Sequence, residues 1–221
     1  MGFTGIKMAY KKDISEEDVP HLRECMFLID VAKNPLSTVV ERYKRLGMNP
    51  KTGNKWKDSL ILRGNIIPKR IITKSGWIVL FEITEKGRIV LQDNGYNIRV
   101  GSEGIEHRFW KEKIADYYKK KGYDTAIEEE NADIVIRKGN ERIAVEIETG
   151  NSDYLNNIER NLFSGFDSVI CVPTNRVAQH KITEDIEEND FGRRVRVILA
   201  FKFDVTLKTN PEKRNKQNGI L

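Results

Sequence analysis

Cysteine is nearly absent from the chain. Only Cys25 and Cys171 occur, both among apolar neighbours and neither in a C-x-x-C pair. That excludes a disulfide-stapled fold and reads as two small core residues of a reduced, intracellular protein. Long apolar runs are also missing. No stretch approaches the roughly 18 apolar residues a membrane span requires. The segment from Met1 to Lys12 has neither an apolar run nor a cleavage-site pattern, so a cytoplasmic protein with no membrane association is expected. No Walker-type glycine-rich loop is present, which argues against an ATPase and any nucleotide cofactor. Histidine is limited to three residues, and His21 and His180 lack ligand-type neighbours in sequence. No internal repeat is visible.

What is present is charge, and it is unevenly placed. Nearly a third of the 221 residues are ionisable and the net charge is +5. Residues 1–100 carry 18 Lys and Arg against 11 Asp and Glu, whereas residues 101–221 carry 20 against 22. A basic half joined to a slightly acidic one fits a polyanion-binding module linked to something else. Apolar residues make up 39% of the chain, enough to build real cores.

Periodicity divides the chain further. Residues 1–14 form a short N-terminal arm. Ser15 with Asp18 marks the start of a first helix running to Lys33. A second helix is predicted from Ser37 to Leu46, ended by Gly47. A third opens at Asn49-Pro50, with Asn as cap and Pro in the first turn, and closes at Gly64. Ile66–Thr73 and Trp77–Ile83 are rich in β-branched and aromatic residues and flank Lys74-Ser75-Gly76, a hairpin pattern. A fourth helix starts at Thr84. The Gly101-Ser102 loop marks a boundary between domains over 15–98 and 101–206, and residues 207–221 form a polar, basic tail.

Three helices followed by a hairpin give the order of a winged helix-turn-helix. The third helix carries Lys51, Thr52, Asn54 and Lys55 on a polar side, where Lys51 and Lys55 stand one turn apart. The hairpin adds Lys69, Arg70 and Lys74, which could meet a phosphate backbone. These seven are the candidate DNA-binding residues. The phrases LGMNPKTGNKWKDSLILRGNI and LFEITEKGRIVLQ resemble winged-helix domains of prokaryotic and viral regulators. Such domains bind DNA, or serve as dimerisation and docking modules.

The second half opens with a helix from Gly104 to Lys121 whose stripe holds Trp110, Ile114, Tyr117 and Tyr118. Three strands follow, at Asp124–Glu130, Ala132–Arg137 and Glu141–Glu148. A helix (Asp153–Phe163), a buried parallel strand (Ser168–Val172), a helix (Arg176–Glu188) and a long final strand (Arg193–Phe203) complete the pattern. Strand alternation sends Ile143, Val145 and Ile147 to one face and Glu146 and Glu148 to the other. Asp133 begins the neighbouring strand, and Glu106 lies one turn before Trp110 on the inward side of its helix. Taken alone, the Glu146/Glu148 alternation also fits an amphipathic strand with one wet face. An acid such as Glu106 on an apolar helix face is costly unless compensated, and a divalent cation shared by several carboxylates would compensate them together. Hard oxygen ligands suit Mg²⁺ or Mn²⁺.

Over residues 103–203 the chain resembles the PD-(D/E)xK, or restriction-endonuclease-like, nuclease superfamily. The segments GIEHRFWKEKIADYYKKKGY, ADIVI and AVEIETGNSD are also similar to Holliday-junction-resolvase-like domains. The resemblance implies an α/β restriction-endonuclease-like domain with an αβββαβ core and mixed sheet, placed after the α+β winged helix-turn-helix domain. It implies a metal-dependent DNA endonuclease, with Glu106, Asp133, Glu146 and Glu148 as catalytic residues. Glu106, Asp133 and Glu146 would be the metal ligands. The family's usual lysine is replaced by Glu148, which leaves three readings: a further metal ligand or water-orienting base, a substitute cation such as Arg160, or an inactive site. His107, Asn157 and Arg160 are accessory candidates. Enzymes of this type often pair so that both strands are cut, so a homodimer is expected. The alternative expectation is a DNA-binding regulator or recruitment protein whose nuclease-like domain is a scaffold.

Overall fold

A computed structural model of the chain describes residues 22–97, 103–150 and 152–203. The fold is α+β. Among the described residues there are seven α-helices, a two-stranded antiparallel sheet and a mixed five-stranded sheet. The chain divides into two compact units between residues 109 and 110, with residues 72–76 grouped in the second.

The first unit runs α1 (Leu22–Lys33), α2 (Val39–Arg45), α3 (Pro50–Leu62), β1 (Ile66–Thr73), β2 (Gly76–Ile83) and α4 (Glu85–Asp93). Each boundary has a local cause. Thr38 and Glu41 form a capping box at α2, where the Glu41 side chain accepts the Thr38 N–H at 2.7 Å. Asn49 caps α3 by accepting the Thr52 N–H at 2.9 Å, with Pro50 in the first turn. Thr84 caps α4 through the Gly87 N–H. Gly47, after α2, takes a left-handed φ of 61° that glycine adopts without steric cost. The arm at 1–14, the helix start at Ser15, the loop at Gly101-Ser102 and the tail at 207–221 lie outside the described residues.

Phe27, Leu28, Leu60, Ile66, Phe81 and Leu91 form the core of this unit. Beside it lies an ion cluster that composition does not reveal. Arg42 is fully buried and Asp30 nearly so. Arg42 donates to the Asp30 carboxylate at 2.7 Å and to the carbonyls of Asp30, Asn34 and Pro35. Arg45 grips the same carboxylate at 2.6 and 3.0 Å. The cluster ties the end of α1 and its following turn to α2. Burial pushes the Asp30 carboxyl up, but hydrogen bonds from Arg45 and Arg42 and both positive charges outweigh it and hold it below its ordinary value.

The second unit contains the greater part of α5 (Ile105–Lys120), then β3 (Asp124–Glu129), β4 (Ala132–Lys138), β5 (Glu141–Glu148), α6 (Tyr154–Phe163), β6 (Ser168–Pro173), α7 (Arg176–Glu188) and β7 (Val195–Val197). The sheet order is β3-β4-β5-β6-β7. The first two pairings are antiparallel and the last two parallel. The two crossovers, through α6 and α7, step in the same direction, so right-handedness places both helices on one face. There Ile158 and Ile182 pack on Val135, Ala144, Val169, Cys171 and Val195. All three parallel strands end at one edge of the sheet, and antiparallel β4 begins there.

The expected long strand at Arg193–Phe203 is not formed. A 3-10 turn at Gly192–Arg194 precedes the three residues of β7, and a second occupies Ala200–Lys202. β7 is an edge strand with β6 as its one partner. β6 ends at Pro173, which has no N–H to offer a ladder. Leu199, Ala200 and Phe203 then turn inward and are buried. The β-branched pattern was real, but the partner ran out.

Arg42→Ala should destabilise the first unit by about 3–5 kcal/mol, because it leaves Asp30 buried with less compensation. Urea unfolding of the full chain reads this directly. The Asp30 contribution is present above its ordinary value of 3.8 and is lost as pH falls through the lower folded value. Acid unfolding of Asp30→Asn should therefore be shallower in this range than that of the wild type.

Candidate metal centre

At the edge where β5 and β6 end, the β4–β5 ladder stops early. Its last pair is Ile134 with Val145. Beyond it, the Asp133 carboxylate takes over from the backbone and accepts the Ile147 N–H at 2.7 Å. Asp133 is half-buried at this opening. Continuing the register places Glu146 opposite Asp133, with Glu148 two residues on and on the same face.

That face is not wet. Ala144, on the same side, packs into the core under α6 and α7. Glu146 is only 5% exposed and Glu148 1%. Glu146 Oε1 accepts 2.5 Å from the Nδ2 of Asn161, a fully buried residue of α6. The Asn161 Oδ1 is buried without a hydrogen-bond partner. Arg160 approaches Glu146 to 4.0 Å while donating to the Asn131 carbonyl at 2.8 Å. Glu148 accepts the Ser152 hydroxyl, and Tyr154 donates to Asp185. Asn157 is half-buried on α6.

Burial pushes the Glu146 carboxyl up, and the neighbouring Asp133 and Glu148 charges push it further. Asn161 and Arg160 oppose them incompletely, and the group settles at about 8. The Cys171 thiol, paired with Glu146 in the β5–β6 register, is raised by burial and then by Glu148 and Glu146. Glu146 is thus a carboxyl whose burial and acidic neighbours outweigh the amide hydrogen and the guanidinium it meets. Asp133, Glu146, Glu148 and the orphan Asn161 amide oxygen place hard oxygen donors on this face of the opening.

A second set of donors reaches Asp133. The ligand atoms of Glu103, His107 and Asp133 lie within 4.8 Å of one another, and His107 Nδ1 is bonded to Glu103. These three could hold a metal ion. Glu106 is half-buried and stands outside this group. Sequence reasoning had His107 but missed Glu103. Its signal was the four-residue spacing that brings both residues to one side of a helix entrance. Asn161 is one of several polar residues on this helix, a pattern that fits a DNA channel or an ordinary helix surface equally well. Its buried position on an amphipathic helix was the available clue.

In the first unit, Lys51, Asn54, Lys55, Lys69 and Arg70 are exposed and Thr52 is half-buried, and Lys74, in the hairpin turn grouped with the second unit, is exposed. Lys55 lies over the Trp56 ring at 4.8 Å, and Arg70 over the exposed Trp77 ring at 4.3 Å. The Asn54 carbonyl oxygen accepts from Tyr43 and Lys57, which fixes its side chain within the unit. No helix among the described residues is long and apolar enough to cross a membrane. No protein-family model, curated protein or solved structure matches the chain.

Without divalent ions, the uncharged form of Glu146 is favoured by folding. Its contribution to stability is full below its ordinary value of 4.5 and is lost as pH rises through about 8. Melting temperature in chelator should fall from pH 5 to pH 9 in the wild type and fall less in Glu146→Gln. Identical pH profiles would mean that Glu146 is not the strained group.

Proposed function

We propose that this chain is a metal-dependent DNA endonuclease that hydrolyses phosphodiester bonds and whose basic first unit holds the DNA. The reading rests mainly on one observation: Asp133, Glu146 and Glu148 share one face at the carboxyl edge of the parallel strands, with Glu146 and Glu148 buried, Asp133 half-buried and the Glu146 carboxyl raised by burial and its acidic neighbours. Ligands of open α/β sheets bind at that edge. The likeness of ADIVI and AVEIETGNSD to PD-(D/E)xK nucleases, and the helix, three-strand, helix, strand order, support the same conclusion.

Asp133 and Glu146 would hold the cation, and Glu103 and His107 are the further donors whose ligand atoms come within 4.8 Å of that of Asp133. A bound cation of this type lowers the pKa of water and offsets charge on the phosphate. The chain's own residues supply the rest. Asn161 fixes the Glu146 carboxylate through its amide hydrogen. Ile147 fixes Asp133 through its N–H. Arg160 brings a cation to within 4.0 Å of Glu146, two residues from Glu148, which stands where the family has lysine. Glu148, held by Ser152, would orient water or serve as a further oxygen donor to the cation. Lys51, Lys55, Lys69, Arg70 and Lys74 would contact phosphates on the duplex, giving affinity that falls steeply with salt. A pair of chains would cut both strands.

The second reading is a DNA-binding regulator or recruitment protein with an inactive nuclease-like unit. It is favoured by Glu148, an acid 1% exposed where the family has lysine.

Supercoiled plasmid, linear duplex, single strands and four-way junctions should be incubated with Mg²⁺ or Mn²⁺. The nuclease reading expects cleavage of at least one, slowed more than about a hundredfold in Glu146→Ala. Binding without cleavage of any substrate favours the regulator.

A further inference from the structure

The carboxyl edge of the sheet carries a second feature beside the acids. A cavity of about 470 Å³ opens between α7 and the segment after β7, a volume typical of small-ligand sites. Arg176, Gln179 and His180 line it from α7, and Leu199, Phe201 and Lys202 from the closing segment. Chain topology sets it next to the acidic cluster. Arg176 comes three residues after Pro173, which pairs with Glu148, and the Thr174 N–H donates to the Glu148 carbonyl at 2.9 Å.

The lining has a definite chemistry. Leu199 is buried and Phe201 half-buried, and they give the cavity an apolar wall with an aromatic ring. Arg176 and Lys202 are exposed, and neither makes an ion pair among the described residues. His180 is already paired with Glu184 at 3.3 Å. Two uncommitted cations across an aromatic wall complement a group with a phosphate at one end and a flat base at the other. An acidic side chain would satisfy the cations but would leave the ring uncovered.

We propose that this cavity seats a nucleotide unit of a single-stranded nucleic acid, with its phosphate between Arg176 and Lys202 and its base against Phe201. The site deepens the reading of the chain as a DNA-acting protein. It adds a strand-binding subsite beside the acids, distinct from the basic face of the first unit.

The test uses the full chain in EDTA, so that it does not depend on metal or cleavage. Binding of a fluorescent twelve-residue oligothymidylate is measured against salt for the wild type, for Arg176→Glu with Lys202→Glu, and for Phe201→Leu. Exposed charge reversals leave the core intact, and melting temperature checks this. We expect the double reversal to weaken binding at least tenfold and to reduce the salt slope by about 1.4, two phosphate contacts' worth. Phe201→Leu should weaken binding severalfold with its slope unchanged. Unchanged oligothymidylate affinity in the double reversal would overturn the proposal. So would a polyglutamate peptide that binds more tightly than oligothymidylate and loses its binding on the same reversal. If the oligothymidylate result holds while Mn²⁺ binding and cleavage are absent, the strand site stands and the nuclease reading alone fails.

Discussion

The second unit depends on the cost of burying Glu146. A glutamate 5% exposed, beside Asp133 and two residues from Glu148, is not compensated by the single amide hydrogen and the distant guanidinium it meets. An apolar residue of similar volume would often pack there with no loss of stability. Much of the local structure follows from this cluster. The ladder between β4 and β5 ends early, so that the Asp133 carboxylate can replace a backbone acceptor. Asn161 is buried on α6 to reach Glu146, and Ser152 sits on the exit from β5 to reach Glu148. Two parallel crossovers set the ends of β5, β6 and β7 at one edge, which gathers acids and cations into a short stretch of surface.

The first unit solves its own electrostatic problem differently. Asp30 is buried with two arginines on its carboxylate, and Arg42 also satisfies the carbonyls at the end of α1. That acid is lowered by its partners, whereas Glu146 is raised by its neighbours. The contrast separates an acid matched by two arginines from one whose nearest charges are mostly acids.

Much of this was legible in the sequence. Asn49-Pro50 fixed the start of α3 because the cap and the proline act locally. The alternation from Ile143 to Glu148 named the residues on each face of β5. Four features were not legible, for physical reasons. The end of β7 was set by Pro173 on a different strand. The burial of Arg42 depended on an aspartate twelve residues away, and charged residues ordinarily read as surface. Glu103 joined Asp133 only through the chain's path in space. Asn161 looked like one more polar residue on a helix until the fold placed Glu146 opposite it.

The most direct measurement is a Mn²⁺ titration of the full chain followed by electron paramagnetic resonance, which reports free and bound ion. If the buried carboxylates form a cation site, about one Mn²⁺ should bind per chain, and Asp133→Asn or Glu146→Gln should each abolish it. If no Mn²⁺ binds, or if both variants bind as the wild type does, the cluster at the β4–β5 opening is not a metal centre and its buried acids need another explanation.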